Sequence, residues 1–283
     1  MHLRQNIYLI ALAAGLAFGG LVGSASAEGD PDVLYVPTPQ YVVNEMLEIA
    51  ATTKEDVVYD LGCGDGRYVI TAAKKYSARG IGIDIDPQLV RLSQANARAA
   101  GVADRVRFIE ADLFKTDISQ ATVVSLYLLP ELNLQLRPKL FKELKPGARI
   151  VSHNYDMADW KPDISEELGS SSYFLWILPA DVAGKWSVKL EVPGAQDYDT
   201  TVQLLQRFQE IEGQAISRGQ EVDFTDEKLK GDRLSFFITR RIQGIKVDMH
   251  FKARVKGDSL SGEVQIEGGP LEGSQKFTAV RHK

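Results

Sequence analysis

Two patterns of apolar residues alternate along the chain from Pro31 to about Leu178. Short apolar runs predict β-strands at 57–61, 80–84, 106–110, 122–127 and 148–152, with a sixth at 173–178. The stretches between most of these runs carry apolar residues three or four positions apart, which predicts amphipathic helices. Strands that alternate with helices are typical of a mostly parallel sheet covered on both faces, so we expect a doubly wound α/β fold. The pattern shows no seventh strand before residue 183.

Recognisable signals mark the ends of the predicted helices. Thr38 and Pro39 form an N-cap and a first-turn proline ahead of a helix that precedes the sheet. Asp86-Pro87 repeats this start, and Gly101 ends the helix that follows. Leucines recur at every fourth position from residue 132 to residue 144, which predicts another helix that Pro138 breaks or kinks.

From about Ala183 onward the pattern changes to strict alternation of apolar and polar residues. The segment 246–255 is an example, and 260–266 repeats the pattern after a Gly-Asp turn. We expect about seven or eight antiparallel strands that form an all-β barrel or sandwich. The sequence therefore divides into an α/β domain at 28–182 and a β domain at 183–283, which loosely resembles lipocalin-like barrels.

Residues 1–27 have the pattern of a signal peptide. Arg4 precedes an apolar run of about 16 residues, and Ala25-Ser26-Ala27 is a small-x-small cleavage site. The run is shorter than the ~20 residues that span a bilayer, which favours export with cleavage over a membrane anchor. We expect a periplasmic or secreted protein with no stable membrane span after cleavage, and anchoring at the N-terminus is the alternative.

The composition argues against a nucleic-acid partner, an intramolecular disulfide and a bound metal. The net charge is −5 and no run of Lys or Arg is present, so we expect no nucleic-acid partner. The single cysteine excludes an intramolecular disulfide. The four histidines are scattered without metal-ligand spacing, so we expect no metal.

A glycine loop follows the first predicted strand, in the segment Asp60-Leu-Gly-Cys-Gly-Asp-Gly66. Glycines permit positive φ and close backbone approach, so a ligand can lie against the loop and the following helix N-terminus. The dinucleotide fingerprint needs another glycine where this chain has Arg67, which argues against a nicotinamide dehydrogenase. The acids Asp84 and Asp112 follow the second and third strands, where ligands of open α/β sheets bind. This arrangement predicts a nucleoside site, with Asp84 on the ribose and Asp112 on the adenine.

Over roughly residues 35–155 the chain resembles the class I, seven-strand, S-adenosylmethionine-dependent methyltransferases, which have a Rossmann-like sheet. Five segments look like the protein-lysine methyltransferases that modify the c subunit of ATP synthase: 35–38, 60–67, 82–86, 126–130 and 151–153. A more distant similarity is to the histone-core lysine methyltransferase without a SET domain. The resemblance implies S-adenosyl-L-methionine as cofactor and a lysine amine as acceptor, with Pro37-Thr38 folding over the cofactor. An export signal and a β domain do not belong to those enzymes.

The expected site residues follow from these motifs and from the resemblance. The expected cofactor contacts are Thr38, Asp60, Gly62, Gly64, Asp65, Gly66, Asp84, Ile85, Asp112 and Leu113. Methyl transfer needs alignment of a neutral amine, and a buried aromatic channel favours that neutral form. Tyr127, at the end of the fourth strand, is expected to line the channel, with Tyr35, Tyr41 and Asn133 behind it. His153 is interpreted as a polar residue whose hydrogen bonds are satisfied.

Two other functions stay open at this point. A non-catalytic nucleoside-binding protein would keep the glycine loop and the acids but would not need Tyr127. A small-molecule methyltransferase would use the same cofactor residues with a different acceptor, because those residues do not define the acceptor. A protein substrate is the leading expectation, and the β domain is expected to bind that substrate, an envelope component or a hydrophobic ligand.

Overall fold

The computed structural model describes residues 35–191, 200–217, 219–242 and 244–282. The predicted signal peptide at 1–27 lies outside the described residues. The described residues belong to one compact unit. No helix in the described part of the chain combines the length and the apolarity needed to cross a bilayer.

The first part of the chain forms a seven-stranded sheet with helices on both faces, which confirms the predicted doubly wound, mostly parallel fold. Its elements in chain order are α1 (Gln40–Ile49), β1 (Val57–Leu61), α2 (Arg67–Tyr76), β2 (Arg79–Asp84), α3 (Pro87–Ala99), β3 (Val106–Glu110), β4 (Val123–Leu126), α4 (Pro130–Glu143), β5 (Arg149–His153), β6 (Ile164–Leu168) and β7 (Ser171–Ile177). The strand order is β3-β2-β1-β4-β5-β7-β6. β1 to β5 run parallel, and β7 is antiparallel to both β5 and β6.

The seventh strand, which the sequence pattern did not show, is β6. Four of its five residues are exposed, so it carries neither an apolar run nor a buried alternating face. β6 lies at the edge of the sheet and pairs only with β7, through a turn at Gly169 with φ +65°. An edge strand open to solvent gives no hydrophobic pattern, which is why the sequence did not reveal it.

Two helix signals act differently from the sequence prediction. Thr38 is not an N-cap, because Pro39 takes that position and α1 has no side-chain cap. Pro138 does not break α4, which continues from Pro130 to Glu143. Pro138 is exposed, while Leu136 and Leu140 on either side of it are fully buried. Packing of these leucines offsets the hydrogen bond that a proline removes from a helix interior.

Alternate residues of the central strands enter two different cores. In β1, Val58 packs with α1 and α2 on one face, and its neighbour Tyr59 packs with α4 on the other. Successive side chains of a strand point to opposite faces, so a strand covered by helices on both sides is apolar throughout. This accounts for the mostly apolar runs at 57–61 and 122–127.

The second part of the chain is a single antiparallel sheet of nine described strands, more than the seven or eight expected. They are β8 (Gly184–Leu190), β9 (Thr200–Arg207), β10 (Glu210–Ser217), β11 (Gln220–Asp223), β12 (Thr225–Lys230), β13 (Arg233–Ile242), β14 (Ile245–Lys256), β15 (Ser259–Glu267) and β16 (Gly273–Arg281). The order is β11-β10-β9-β8-β16-β15-β14-β13-β12, and the sheet curls until β10 and β12 are in contact. Its inner face buries Trp186 and Phe236, together with Phe251 and Val264 from the two segments where alternation predicted a buried face.

The turn between β9 and β10 packs against the α/β part. The Phe208 ring lies 5.9 Å from the ring of Trp160 and 5.8 Å from that of Phe141. The Arg137 guanidinium lies over the same ring at 5.2 Å, and Trp160 Nε1 donates a 2.9 Å hydrogen bond to Gln209 Oε1. The two sheets therefore share an aromatic contact, which the sequence pattern of neither the α/β part nor the β part predicted.

The boundary between the two predicted domains remains a prediction, and the core of the second sheet suggests a refinement of it. Ala180 and Val182 are buried in that core, although the proposed cut at residue 183 would remove them. Because burying one valine side chain contributes roughly 1.5–3 kcal/mol, fragment 179–283 should be about 2 kcal/mol more stable than fragment 183–283. Urea unfolding followed by tryptophan fluorescence would measure the difference. If neither fragment shows a cooperative transition, the β part does not fold alone.

Candidate active site

The glycine loop lies between β1 and α2, at the carboxyl edge of the sheet. Gly62, Gly64 and Gly66 have φ of +83°, +55° and +78°, a region that side-chain-bearing residues rarely adopt. A Cβ on Gly64 would lie 2.3 Å from Cε2 of Tyr35, and one on Gly66 would lie 2.6 Å from Phe108. Both the backbone conformation and the close neighbours therefore require glycine at these positions.

The neighbouring strand β2 fixes the loop in place. The backbone N–H groups of Gly62 and Cys63 donate to the Ile83 carbonyl at 2.8 and 3.0 Å. The Gly64 N–H donates to Asp84 Oδ2 at 2.8 Å, and the Asp86 N–H donates to Asp84 Oδ1 at 3.0 Å. Asp84 is therefore a buried carboxylate that organises the loop. Each of its oxygens keeps a lone pair for a ligand hydroxyl, because a carboxylate accepts about four hydrogen bonds.

Residues Tyr35–Thr38, called the strap below, cross over the glycine loop. The Tyr35 ring covers Gly64, and the nearby Tyr35 hydroxyl helps to lower the pKa of the Asp65 carboxylate. Arg67 donates from Nη1 to the Thr38 carbonyl at 2.8 Å while its Nη2 pairs with Asp65 Oδ2 at 2.6 Å. Sequence reasoning gave Arg67 no role beyond its mismatch to the dinucleotide motif, yet Arg67 holds the strap. Asp65, an expected cofactor contact, uses its carboxylate within the protein.

Asp60, at the end of β1, is a buried acid in this site. Burial and the nearby carboxylates of Asp84 and Asp65 raise its pKa to about 7, although a hydrogen bond from Ser125 lowers it. In the described residues no Lys or Arg forms an ion pair with Asp60. A cationic ligand would stabilise its ionised form, because an opposite charge nearby favours a carboxylate over the neutral acid.

The other expected cofactor residues follow β2 and β3. Ile85 is 62% exposed, which leaves its side chain free to cover a ligand. Asp112 accepts from the Phe114 N–H at 2.8 Å and pairs with Lys115 at 2.9 Å. The Lys115 hydrogen bond is the main cause that lowers the pKa of Asp112. Leu113 packs half-buried against the core beside β1.

An aromatic group lies at the carboxyl ends of β4 and β5. The half-buried Tyr127 follows β4, and its ring centroid lies 4.1 Å from that of His153 and 6.3 Å from that of Tyr155. Tyr35 belongs to the strap, Tyr41 is 48% exposed on α1, and no ring contact joins either of them to Tyr127 in the described residues. The aromatic neighbours of Tyr127 are His153 and Tyr155 instead.

Asn133 lies fully buried in α4, beside the segment that follows β5. Its Nδ2 donates to Ser152 Oγ at 3.3 Å and to the Tyr155 and Asp156 carbonyls at 3.2 and 3.4 Å. Ser152 Oγ itself donates to the Tyr155 carbonyl, so all three neighbours are acceptors for the amide nitrogen. The amide thus holds the segment that carries Tyr155, and its Oδ1 is buried without a partner. A role for Asn133 in binding the methyl acceptor stays a prediction.

The hydrogen bonds of His153 are not all satisfied, contrary to the sequence interpretation. Its Nδ1 lies 3.2 Å from Thr38 Oγ1, but its Nε2 is buried without a partner. Burial lowers the pKa of the imidazole to about 4, so the ring is neutral at physiological pH. The position of His153 at the end of a strand, next to those of the acids, was the only sequence signal for a role.

These residues fit a cationic nucleoside cofactor. Three glycines form a cradle with no room for side chains, and a buried, uncompensated carboxylate and a loop-organising acid stand at the ends of β1 and β2. The aromatic group lies at the ends of β4 and β5, where His153 Nδ1 is 3.2 Å from Thr38 Oγ1 of the strap. The site therefore has a nucleoside side and an aromatic side, as expected for transfer from a bound cofactor to an acceptor.

Comparisons with known proteins agree with this geometry. The profile of the ANTKMT methyltransferase domain matches residues 60–164. The chain is 45% identical over 150 residues to a protein-lysine N-methyltransferase of Saccharolobus islandicus, a match that covers 52% of this chain and 93% of that protein. It is 36% identical over 103 residues to the adenine nucleotide translocase lysine N-methyltransferase of Mus musculus, covering 36% of this chain and 45% of the relative. The chain thus spans less than half the length of that second relative.

A solved structure is also similar. It is an RNA methyltransferase from Salinibacter ruber in complex with S-adenosyl-L-homocysteine, with 53% sequence identity and a TM-score of 0.51. The match covers 52% of this chain and 96% of that chain. The matches to the Saccharolobus islandicus and Salinibacter ruber proteins each cover about half of this chain. The name of the first gives a protein lysine as methyl acceptor, and that of the second gives RNA.

Proposed function

Since this chain belongs to the family of S-adenosylmethionine-dependent methyltransferases that includes the protein-lysine N-methyltransferases, we propose that it methylates a lysine amine of a protein. The aromatic group of Tyr127, His153 and Tyr155 beside the cofactor loop is the observation that carries this proposal. Half-buried aromatic walls suit an amine that must lose its charge before it reacts.

The cofactor side is assigned to residues around the glycine loop. Asp84 would accept from the ribose hydroxyls, the loop glycines would allow close backbone approach, and Asp60 would face positive charge of the ligand. Bound S-adenosylmethionine supplies a methyl group already activated by the sulfonium. The residues of this chain therefore need only bind, align and exclude water, and no nucleophilic side chain is required.

The acceptor side must hold a neutral amine in line with the methyl group. A lysine amine is protonated in water, and an apolar wall lowers its pKa by disfavouring the charged form. Tyr127 and Tyr155 supply such a wall, and neutral His153 adds no positive charge that would repel the amine. The electrostatics of this aromatic side therefore favour an amine acceptor.

The Salinibacter ruber relative makes RNA the second candidate acceptor. This chain has a net charge of −5, and binding to a polyanion requires basic surface that neutralises phosphates. RNA is therefore the weaker proposal. Two further outcomes are methylation of a small molecule and binding of the cofactor without transfer. One assay separates both of them from methylation of a protein lysine.

The assay follows labelled methyl from S-adenosylmethionine into protein, RNA and small-molecule fractions of an extract. We expect label at lysine in one or a few proteins, mapped by peptide mass spectrometry, and loss of label with Tyr127→Ala. Label only in RNA or in small molecules would overturn the proposed acceptor. Cofactor binding without any labelled product would support the nucleoside-binding alternative instead.

We also propose that the protein is exported across the membrane, as the signal-peptide pattern at 1–27 supports. The β domain would then present an envelope protein or a hydrophobic ligand to the site. Cell fractionation with N-terminal sequencing should find a mature protein that begins after Ala27. Intact Met1 in the cytoplasmic fraction would contradict export.

Asp84→Ala should weaken S-adenosylhomocysteine binding by roughly 10- to 100-fold. The variant removes a charged acceptor for ribose, and hydrogen bonds to charged groups contribute about 1.5–3 kcal/mol. It also releases the Gly64 N–H that organises the loop. Asp86→Ala is the matched control, because Asp86 accepts from Gln88 N–H and caps α3. Calorimetry should show less than a twofold change for the control, and equal losses in both variants would contradict the assignment of Asp84.

A further inference from the structure

His153 lies between the two sides of the site. One ring nitrogen, Nδ1, is 3.2 Å from the Thr38 hydroxyl of the strap. The ring itself lies 4.1 Å from that of Tyr127, centroid to centroid, with the planes tilted by 41°. Thr38 precedes His153 by 115 residues, so only the tertiary fold brings the strap to β5. A single side chain thus contacts both the cover of the cofactor loop and the tyrosine of the acceptor side.

The polarity of His153 needs an explanation beyond packing. The residue is 2% exposed, and its Nε2 has no partner. An unsatisfied buried nitrogen is costly, so an apolar ring would pack at this position with less penalty. The polar contact that the imidazole does make is the one to Thr38. The presence of a histidine at this position therefore indicates a function for that contact.

We propose that His153 is a positioning residue that couples the strap over the cofactor loop to the ring of Tyr127. This inference rests on the proposed function, with Tyr127 on the acceptor side. Through Nδ1, His153 holds Thr38 and keeps the strap closed over the loop. Through its ring face, it sets the orientation of Tyr127. Cofactor affinity therefore depends on the first contact, and alignment of the acceptor depends on the second.

Two variants of His153 separate these contacts. His153→Phe keeps an aromatic ring against Tyr127 and removes the nitrogen that faces Thr38. His153→Asn places an amide group near the position of Nδ1 and removes the ring. We expect His153→Phe to weaken S-adenosylhomocysteine binding about five- to tenfold and to lose less in kcat than His153→Asn does. We expect His153→Asn to bind within about twofold of the wild type but to lose about tenfold in kcat.

Thr38→Val tests the same contact from the other partner, at a half-buried position where the core is not disturbed. It should weaken S-adenosylhomocysteine binding as much as His153→Phe does, and the double variant should be no weaker than either single one. Groups that form one hydrogen bond give such non-additive losses. Additive losses, or equal losses of affinity in His153→Phe and His153→Asn, would overturn the coupling.

A spectroscopic measurement keeps this test separate from the proposed acceptor. In the free protein, nitrogen-15 spectra of the histidine rings report which nitrogen carries the proton. Thr38→Val should change the His153 signal, and His153→Asn should shift the ring protons of Tyr127. Absence of both changes would overturn the inference. Failure to methylate lysine would overturn the proposed function. The spectra and the affinities of Thr38→Val, His153→Phe and the double variant would still decide the role of His153.

Discussion

Asp60→Asn is expected to make the cofactor-free protein more stable than the wild type at pH 8. Burial raises the pKa of Asp60 to about 7, whereas an aspartate in the unfolded chain titrates near 3.8. The folded state therefore binds a proton more tightly, and stability falls as the pH rises from about 4 to about 7. A difference of about three pKa units corresponds to an upper limit of roughly 4 kcal/mol. Asparagine carries no charge at any pH and lacks this loss.

Urea unfolding of the cofactor-free proteins at pH 5 and pH 8 would measure the effect. The wild type should lose stability between the two pH values by a few kcal/mol more than Asp60→Asn does. Asp86→Asn, at the start of α3, is a control that should keep the wild-type difference. If Asp60→Asn and the wild type respond equally to pH, Asp60 is not the group that titrates.

The same charge should govern the affinity for S-adenosylmethionine. Below pH 7 the neutral acid must lose a proton before it can stabilise a cation, so wild-type affinity should fall by up to about tenfold per pH unit. Asp60→Asn should bind more weakly at pH 8 and show little of this pH dependence. These two results together would show that Asp60 lowers the stability of the free protein and strengthens cofactor binding, a trade-off common where an active site holds an uncompensated charge.

The glycine loop and the acids at the strand ends could be predicted from sequence because these parts of the site are local. Three alternating glycines and the acids at strand ends identify a loop and a sheet edge by their spacing alone. The strap could not be predicted in this way. Arg67 appeared only as a departure from a motif, and the contact between Thr38 and His153 joins residues 115 positions apart. Such contacts depend on the path of the whole chain.

The parts of the fold that escaped prediction have physical reasons of the same kind. β6 is mostly exposed, so no apolar pattern marks it. Pro138 is a local signal for a helix end, but the buried leucines on either side of it keep α4 continuous. The aromatic contact of Phe208 with Trp160 joins two sheets, each of which has its own pattern. Sequence patterns describe single elements well, whereas packing between elements decides the exceptions.

Tyr127→Ala is expected to lose about 100-fold in the rate of methyl transfer while keeping nearly unchanged affinity for S-adenosylhomocysteine. The ring packs against His153 and Tyr155 on the aromatic side of the site. None of the described hydrogen bonds or ion pairs joins it to the acids Asp60, Asp84 and Asp112. Its loss would allow the acceptor amine to shift and would admit water. A displacement of about 1 Å can cost on the order of 100-fold in rate.

Two variants show whether the effect belongs to the ring of Tyr127. Tyr127→Phe keeps the ring and removes the hydroxyl, so it should retain most of the rate if the ring acts as a wall. Tyr41→Ala removes an exposed ring from α1 and should change neither rate nor affinity by more than about twofold. Single-turnover kinetics at saturating cofactor would separate transfer from binding, because a residue that acts only on acceptor alignment lowers the rate and leaves the cofactor dissociation constant unchanged. A parallel loss of cofactor affinity in Tyr127→Ala would place the ring on the nucleoside side and remove it from the acceptor wall.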